Sequence, residues 1–135
     1  MHQSMELSHR DALVVIETIR AELERTGKGA AIAVCDPHGE LLAFLRTDGC
    51  RLPSITIAMG KAFTAAREQI ESKTVGERSR SEAFPMTNYG DLRYVSWGGG
   101  VPIRSGDAIV GAIGVSGLPE DEDMALAALG AAALG

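Results

Sequence analysis

The chain has 135 residues and a formal net charge of -5, with 45% hydrophobic and 23% charged side chains. This length and composition suit one globular domain, residues 1–135. The acidic balance and the scattered Lys and Arg residues argue against nucleic acid and an anionic membrane as main partners. No apolar run is long enough to span a membrane, and Met1–Arg10 lacks a signal-peptide pattern, so we expect a cytoplasmic protein.

The first element in the chain is a helix that the sequence predicts to begin after Ser8 and to end at Gly27. Ser8 and Asp11 have the spacing of a capping box. Apolar side chains then recur every three or four residues, which is the pattern of a helix with one buried face. The residues of that face are Ala12, Ile16, Ile19 and Leu23.

The next segments predict a β-hairpin and then two helices. The strands Ala30–Asp36 and Glu40–Asp48 flank a turn that contains Pro and Gly at typical turn positions. Pro53 fits the first turn of a helix that runs through SITIAMGKAFTAAREQIE. A shorter helix is predicted for Thr74–Ala83, with Thr74 as its N-cap. An irregular loop is predicted for Phe84–Arg93, because turn-forming residues are frequent there.

The last third of the chain predicts strands and a final helix. Tyr94–Trp97 alternates bulky and small residues like a strand, and a second hairpin turns at RSGD before the run Ala108–Ser116. The final helix follows Pro119 and has four acidic residues at its positive end. The order predicts an α/β fold of the α+β type, with a central antiparallel sheet flanked by helices. Since the last helix is apolar on almost all sides, we expect it to contact a partner subunit.

Glycines are concentrated between Ser96 and Gly117. The triplet Gly98–Gly100 is followed by a hairpin and not by a helix, so the sequence does not predict a nucleotide phosphate site. Gly114 and its neighbours in the following strand leave gaps on both strand faces. Such gaps allow a ligand or another backbone to approach closely. The glycine spacing alone favours the second explanation, a helix packed closely on the sheet.

Five segments resemble the GlcG/HbpS-like heme-binding domain family, which includes the C-terminal domain of PduO-type proteins. They are GELLAFLRTDG, SITIAMGKAFTA, GGGVPI, GDAIVGAIGVSG and PEDEDMALA. Their order and spacing agree with the family from about Leu7 onward. The resemblance implies a profilin-like fold and homo-oligomers, commonly dimers or larger rings. It also implies that some relatives bind heme, sense redox state or accompany cobalamin enzymes.

Lys61 is the most informative single residue of the sequence. It is the only charged residue between Leu52 and Ala66, and small apolar residues surround it on the predicted helix. Such a lysine either extends to water or projects into a pocket. Its place in the family's KA.TA motif favours the pocket. Burial there lowers a lysine's pKa and suits the binding of an anion or a role as catalytic base or nucleophile.

Other candidates have simpler structural explanations beside the functional one. Arg46 and Asp48, in the family's R.DG element, either bind a carboxylate and hold Lys61 or form a surface ion pair. Asn88 belongs to a loop placed to cover a pocket, although most polar loop residues are solvated. The candidate ligand-binding residues are therefore Arg46, Asp48, Lys61, Asn88, Gly98, Gly99, Gly100 and Gly114.

Heme iron needs an axial ligand, usually from His, Cys, Met or Tyr. Of the three histidines, His9 is the candidate, because the positive end of its helix favours a neutral imidazole. Cys35 and Cys50 lack metal-ligand spacing and predict two reduced thiols. Two functions follow from the sequence. One is a heme- or small-molecule-binding domain with a sensor, carrier or accessory role. The other is an enzyme for a small anionic metabolite, with Lys61 in a glycine-lined pocket.

Overall fold

The computed structural model describes residues 1–134. Within that range, four helices and four strands form the fold, and a short 3-10 helix at Met86–Tyr89 precedes the second hairpin. In chain order the elements are α1 (His9–Thr26), β1 (Ala31–Cys35), β2 (Leu41–Arg46), α2 (Ser54–Glu68), α3 (Ser72–Ser81), β3 (Gly100–Ser105), β4 (Ala108–Ser116) and α4 (Glu120–Ala132).

The strands form one sheet in the order β2-β1-β4-β3, and every neighbouring pair is antiparallel. The two predicted hairpins, β1–β2 and β3–β4, are therefore confirmed, and β1 pairs with β4 to join them. The predicted α+β fold, a central antiparallel sheet flanked by helices, is also confirmed.

The first helix has the predicted ends. The Ser8 hydroxyl accepts a hydrogen bond from the Asp11 backbone N–H, and the Asp11 carboxylate accepts one from the Ser8 N–H. This capping box satisfies two backbone groups that a helix N-terminus leaves without partners. Gly27 ends the helix in the left-handed conformation, with φ of 70°.

The two faces of the sheet bury different side chains. On one face, α1 and α4 pack on branched residues such as Ile32, Val34 and Val115. On the other face, α2 packs on small residues such as Ala31, Ala33 and Ala112. This division follows the alternation of side chains along a strand. The small residues place the α2 backbone very close to the sheet.

Two predictions for the middle of the chain are wrong. Tyr94–Trp97 is not a strand, because this segment crosses the helices: the Val95 N–H donates to the Thr64 hydroxyl of α2 at 2.8 Å. The helix α3 begins at Ser72, two residues before the predicted N-cap Thr74. Ser72 instead uses its buried hydroxyl to connect α3 to the glycine-rich segment.

The helix α4 covers its sheet face with only part of its surface. Leu126, Ala127 and Gly130 are buried, whereas Leu129 remains 41% exposed. Within residues 1–134, no helix combines the length and the apolarity that a membrane crossing requires.

We expect the exposed apolar side of α4 to form part of a contact between copies of this chain. Substitution Leu129→Glu places a charge on that side without touching the core, and it should shift the protein to a smaller species in light scattering after size exclusion. The matched change Glu122→Gln, on the same helix, should leave the mass unchanged. A wild-type protein that is already a monodisperse monomer contradicts this expectation.

Candidate functional site

Lys61 lies in the middle of α2 and is 2% exposed. Its ammonium group does not reach bulk water. It donates to the backbone oxygen of Val115 at the end of β4, at 2.9 Å, and to the carboxylate of Asp123 on α4, at 3.2 Å. Of the two outcomes that the sequence left open for Lys61, the structure shows the buried one.

Asp123 is the counterion of Lys61, and both side chains are almost fully buried. The other oxygen of its carboxylate accepts the Leu118 N–H at 3.1 Å, which fixes the connection between β4 and α4. Sequence reasoning missed this role, because Asp123 is one of four adjacent acidic residues that all suit a helix N-terminus. The only signal was the presence of one buried lysine that required a partner.

Burial changes the pKa values of both members of the pair. It lowers the pKa of the Lys61 ammonium and raises that of the Asp123 carboxyl, because each charged form loses its water. The attraction between the two charges opposes both shifts. The sequence-based expectation of a lowered lysine pKa agrees with this direction.

The predicted glycines have two different roles around Lys61. Gly99 has φ of 124°, and a Cβ atom there would come within 2.9 Å of the Lys61 ammonium, so this glycine makes room for the lysine side chain. A Cβ atom at Gly100 or Gly114 would collide with the backbone of α2. These two glycines allow close helix packing and do not form an open ligand surface.

A cavity of about 710 Å³ lies beside the lysine, between the N-terminal half of α2 and the start of α4. It is lined by Arg51, Pro53, Ser54, Ile57, Lys61, Trp97, Gly98, Ser116, Gly117, Leu118, Pro119, Glu120 and Asp123. We call it the Lys61 cavity. Its size is within the usual range for small-molecule sites.

A second cavity of about 630 Å³ lies on the other side of α2 and shares only Ile57 with the first. It is lined by Cys35, Gly39, Glu40, Leu41, Thr56, Ile57, Met59, Gly60, Ala62, Phe63, Leu92, Arg93 and Val95. We call it the apolar cleft. Leu92 and Arg93 come from the loop that the sequence placed over a pocket, and Arg93 lies 4.0 Å from the centre of the Phe63 ring.

The remaining predicted residues are not brought to Lys61. Arg46, Asp48 and Asn88 are exposed, and none of them lines either cavity. His9 is exposed on α1, which packs on the opposite face of the sheet from α2. The roles of these residues in ligand binding stay predictions.

The fold is that of an α+β domain with two cavities beside α2, and comparison with known proteins gives its family. Residues 7–132 match the family model described as Haem degrading protein HbpS-like. The chain belongs to this family, which confirms the resemblance found in the sequence.

Several known proteins are similar over most of the chain. Protein GlcG of Escherichia coli strain K12 is 34% identical over 116 residues, which cover 82% of this chain and 81% of that protein. A double-mutant form of HbpS from Streptomyces reticuli has a TM-score of 0.90 at 31% identity and covers 100% of this chain and 91% of its own. A PduOC–heme complex has a TM-score of 0.87 at 21% identity, with 96% and 95% covered, and shows the shared fold.

Removal of the Lys61 charge should strongly destabilise the protein. Lys61→Met leaves the Asp123 carboxylate buried without its cation, and we expect the free energy of unfolding to fall by about 3–5 kcal/mol. The double variant Lys61→Met/Asp123→Asn removes both charges and keeps an acceptor for the Leu118 N–H, so it should recover most of this loss. Urea unfolding of the wild type, Lys61→Met, Asp123→Asn and the double variant measures the coupling. Equal stability of the single and double variants would contradict the proposed pairing.

The buried thiol of Cys35 should make the protein less stable at alkaline pH. Burial raises its pKa to about 12 from the ordinary 9.0. Below pH 9 the thiol is protonated in both folded and unfolded chains. Between pH 9 and 12 only the unfolded chain releases the proton, so the free energy of unfolding falls by up to about 1.4 kcal/mol per pH unit.

Comparison of the wild type with Cys35→Ala isolates this contribution, because the other titrating groups are common to both. The difference between their free energies of unfolding should be constant from pH 7 to 9. From pH 9 to 10.5 the free energy of unfolding of the wild type should fall relative to that of Cys35→Ala. Cys50→Ala, which removes a partly exposed thiol, is the matched control. Parallel curves for wild type and Cys35→Ala would rule out the effect.

Proposed function

We propose that this protein is a small-molecule-binding domain that binds heme in the apolar cleft, in a carrier, sensor or accessory role. The observation that carries the proposal is the cleft itself, an open cavity that is lined by apolar and aromatic side chains and by Arg93. Membership of a family described as heme-degrading, and a shared fold with a PduOC–heme complex, support heme as the ligand.

The side chains of the cleft fit a flat apolar macrocycle with anionic edges. Met59, Phe63 and Val95 supply apolar surface inside the cleft, and the almost fully exposed Leu92 stands at its edge. Arg93 is half-exposed there; its Nη2 donates to the Asp91 carboxylate at 2.9 Å, and its Nη1 pairs with Glu40 at 3.4 Å. A propionate is a carboxylate like that of Glu40, so Arg93 suits the same contact with the ligand.

The cleft also contains donors for an iron atom. Cys35 is a weak candidate, because its thiol stays protonated and donates to the Ala62 carbonyl oxygen at 3.4 Å. The Met59 thioether makes no hydrogen bond within residues 1–134 and lines the cleft, so Met59 is the residue there that would hold the iron. Bound heme would supply redox and ligand-binding chemistry at the iron, while the protein supplies the apolar surroundings and the arginine.

His9 provides the competing heme site that the sequence suggested. Since α1 lies on the other face of the sheet from α2, heme held by His9 would lie on the α1 side and outside the cleft. Variants at Met59 and His9 therefore distinguish heme in the cleft from heme on the α1 side.

A hemin titration followed by absorption tests the proposal. The wild type should give a saturable Soret shift, and Met59→Leu should change the position of the band or weaken binding about tenfold or more. Met5→Leu, at the exposed N-terminal methionine, is the matched control and should behave like the wild type. Loss of binding in His9→Ala together with unchanged binding in Met59→Leu would move heme away from the cleft. The absence of a saturable shift would overturn heme binding.

A further inference from the structure

The Lys61 cavity has a chemistry that is distinct from that of the apolar cleft. Several hydrogen-bond donors converge on it, and two of them belong to serines that are buried. Ser54, in the first turn of α2, and Ser116, at the end of β4, are each 5% exposed and line the cavity. Ser54 and Lys61 are separated by two helical turns, so they lie on the same side of α2.

The hydroxyl groups of these serines open onto the cavity. Neither forms a side-chain hydrogen bond to another residue in the part of the chain that the structure describes. Within residues 1–134, every side-chain nitrogen or oxygen atom that is inaccessible to solvent has a hydrogen-bond partner. Since these two hydroxyl oxygens have none, they are accessible, and the surface that they line is the cavity. Buried polar groups without protein partners indicate a place for water or a ligand.

Lys61 contributes another donor to the same cavity. An ammonium group has three N–H donors, and two are used by Val115 and Asp123. The third has no acceptor among the described residues. Because the Asp123 carboxylate already balances the lysine charge, a neutral oxygen of a ligand is a better partner for this third N–H than a second carboxylate.

A positive charge without a counterion lies at the other end of the cavity. Arg51 lines it and forms no ion pair within residues 1–134, whereas Glu120 is occupied by the Gly98 N–H and by Lys73. The adjacent N-terminus of α2 has no side-chain cap and no acidic residue in its first turn. Arginine and an uncapped helix N-terminus both favour a carboxylate.

We propose that the Lys61 cavity binds a small monocarboxylate that carries a hydroxyl or carbonyl oxygen. The carboxylate lies between Arg51 and Ser54 at the start of α2, and the second oxygen accepts hydrogen bonds from Lys61 and Ser116. This site goes beyond the proposed heme function and uses none of the cleft residues except Ile57.

The position of the only tryptophan provides a direct measurement. Trp97 lines the cavity and is 58% exposed, so a bound ligand changes its fluorescence. The probes are lactate and 3-hydroxybutyrate, with propionate and butyrate as the matched acids that lack the second oxygen, and succinate as a dicarboxylate. We expect saturable binding of at least one hydroxy acid and affinities about tenfold lower for the matched parent acids.

Variants locate the binding in this cavity. Arg51→Gln should weaken the hydroxy acid about tenfold or more, and Ser54→Ala should weaken it severalfold. Arg10→Gln and Ser81→Ala, at exposed positions outside the cavity, are the matched controls and should bind like the wild type. All variants are first compared by thermal unfolding, and none of them alters the buried ion pair.

The proposal is overturned if neither hydroxy acid binds, if Arg51→Gln leaves binding unchanged, or if succinate binds more tightly than the hydroxy acids. The hemin titration of Arg51→Gln should match that of the wild type, so failure of this site and failure of the heme proposal are separate outcomes.

Discussion

The close approach of α2 to the sheet is the constraint on which the rest of the structure depends. The helix can lie there because Ala31, Ala33 and Ala112 present only methyl groups, and because Gly100 and Gly114 present no side chain at all. A Cβ atom at either glycine would push the helix away from the strands. Dense packing makes such a shift costly, since a core cannot absorb even one added carbon atom without rearrangement.

This packing fixes the path of the Lys61 side chain. Because α2 lies so close to the sheet, the Lys61 side chain runs past the end of β4, beside Gly99. It then reaches Asp123 of α4, a helix that packs on the opposite face of the sheet. The ion pair with Asp123 therefore joins a helix of one sheet face to a helix of the other. A buried pair of this kind contributes little net stability compared with an apolar contact of the same shape, but breaking it is expensive. It acts mainly to specify how the β4–α4 connection is arranged.

The sequence predicted the elements whose signals are local. The capping box at Ser8 and the hairpin turns depend on residues close together in the chain, whereas local sequence left the burial of Lys61 open. The failures have non-local causes. Tyr94–Trp97 has the alternation of a strand, yet the Val95 N–H donates to the Thr64 hydroxyl of a helix and not to a neighbouring strand. Asp123 could not be distinguished from its acidic neighbours, because only the folded chain shows which of the four faces Lys61.

The same helix separates two cavities of different chemistry, with Ile57 as their common wall. One is lined by thioether and aromatic groups and suits an apolar ligand. The other is lined by hydrogen-bond donors of α2, β4 and Arg51 and suits a small carboxylic acid with an additional oxygen. Both cavities depend on the position of α2, so a substitution at Gly100 or Gly114 that shifts the helix away from the sheet would alter the two cavities together.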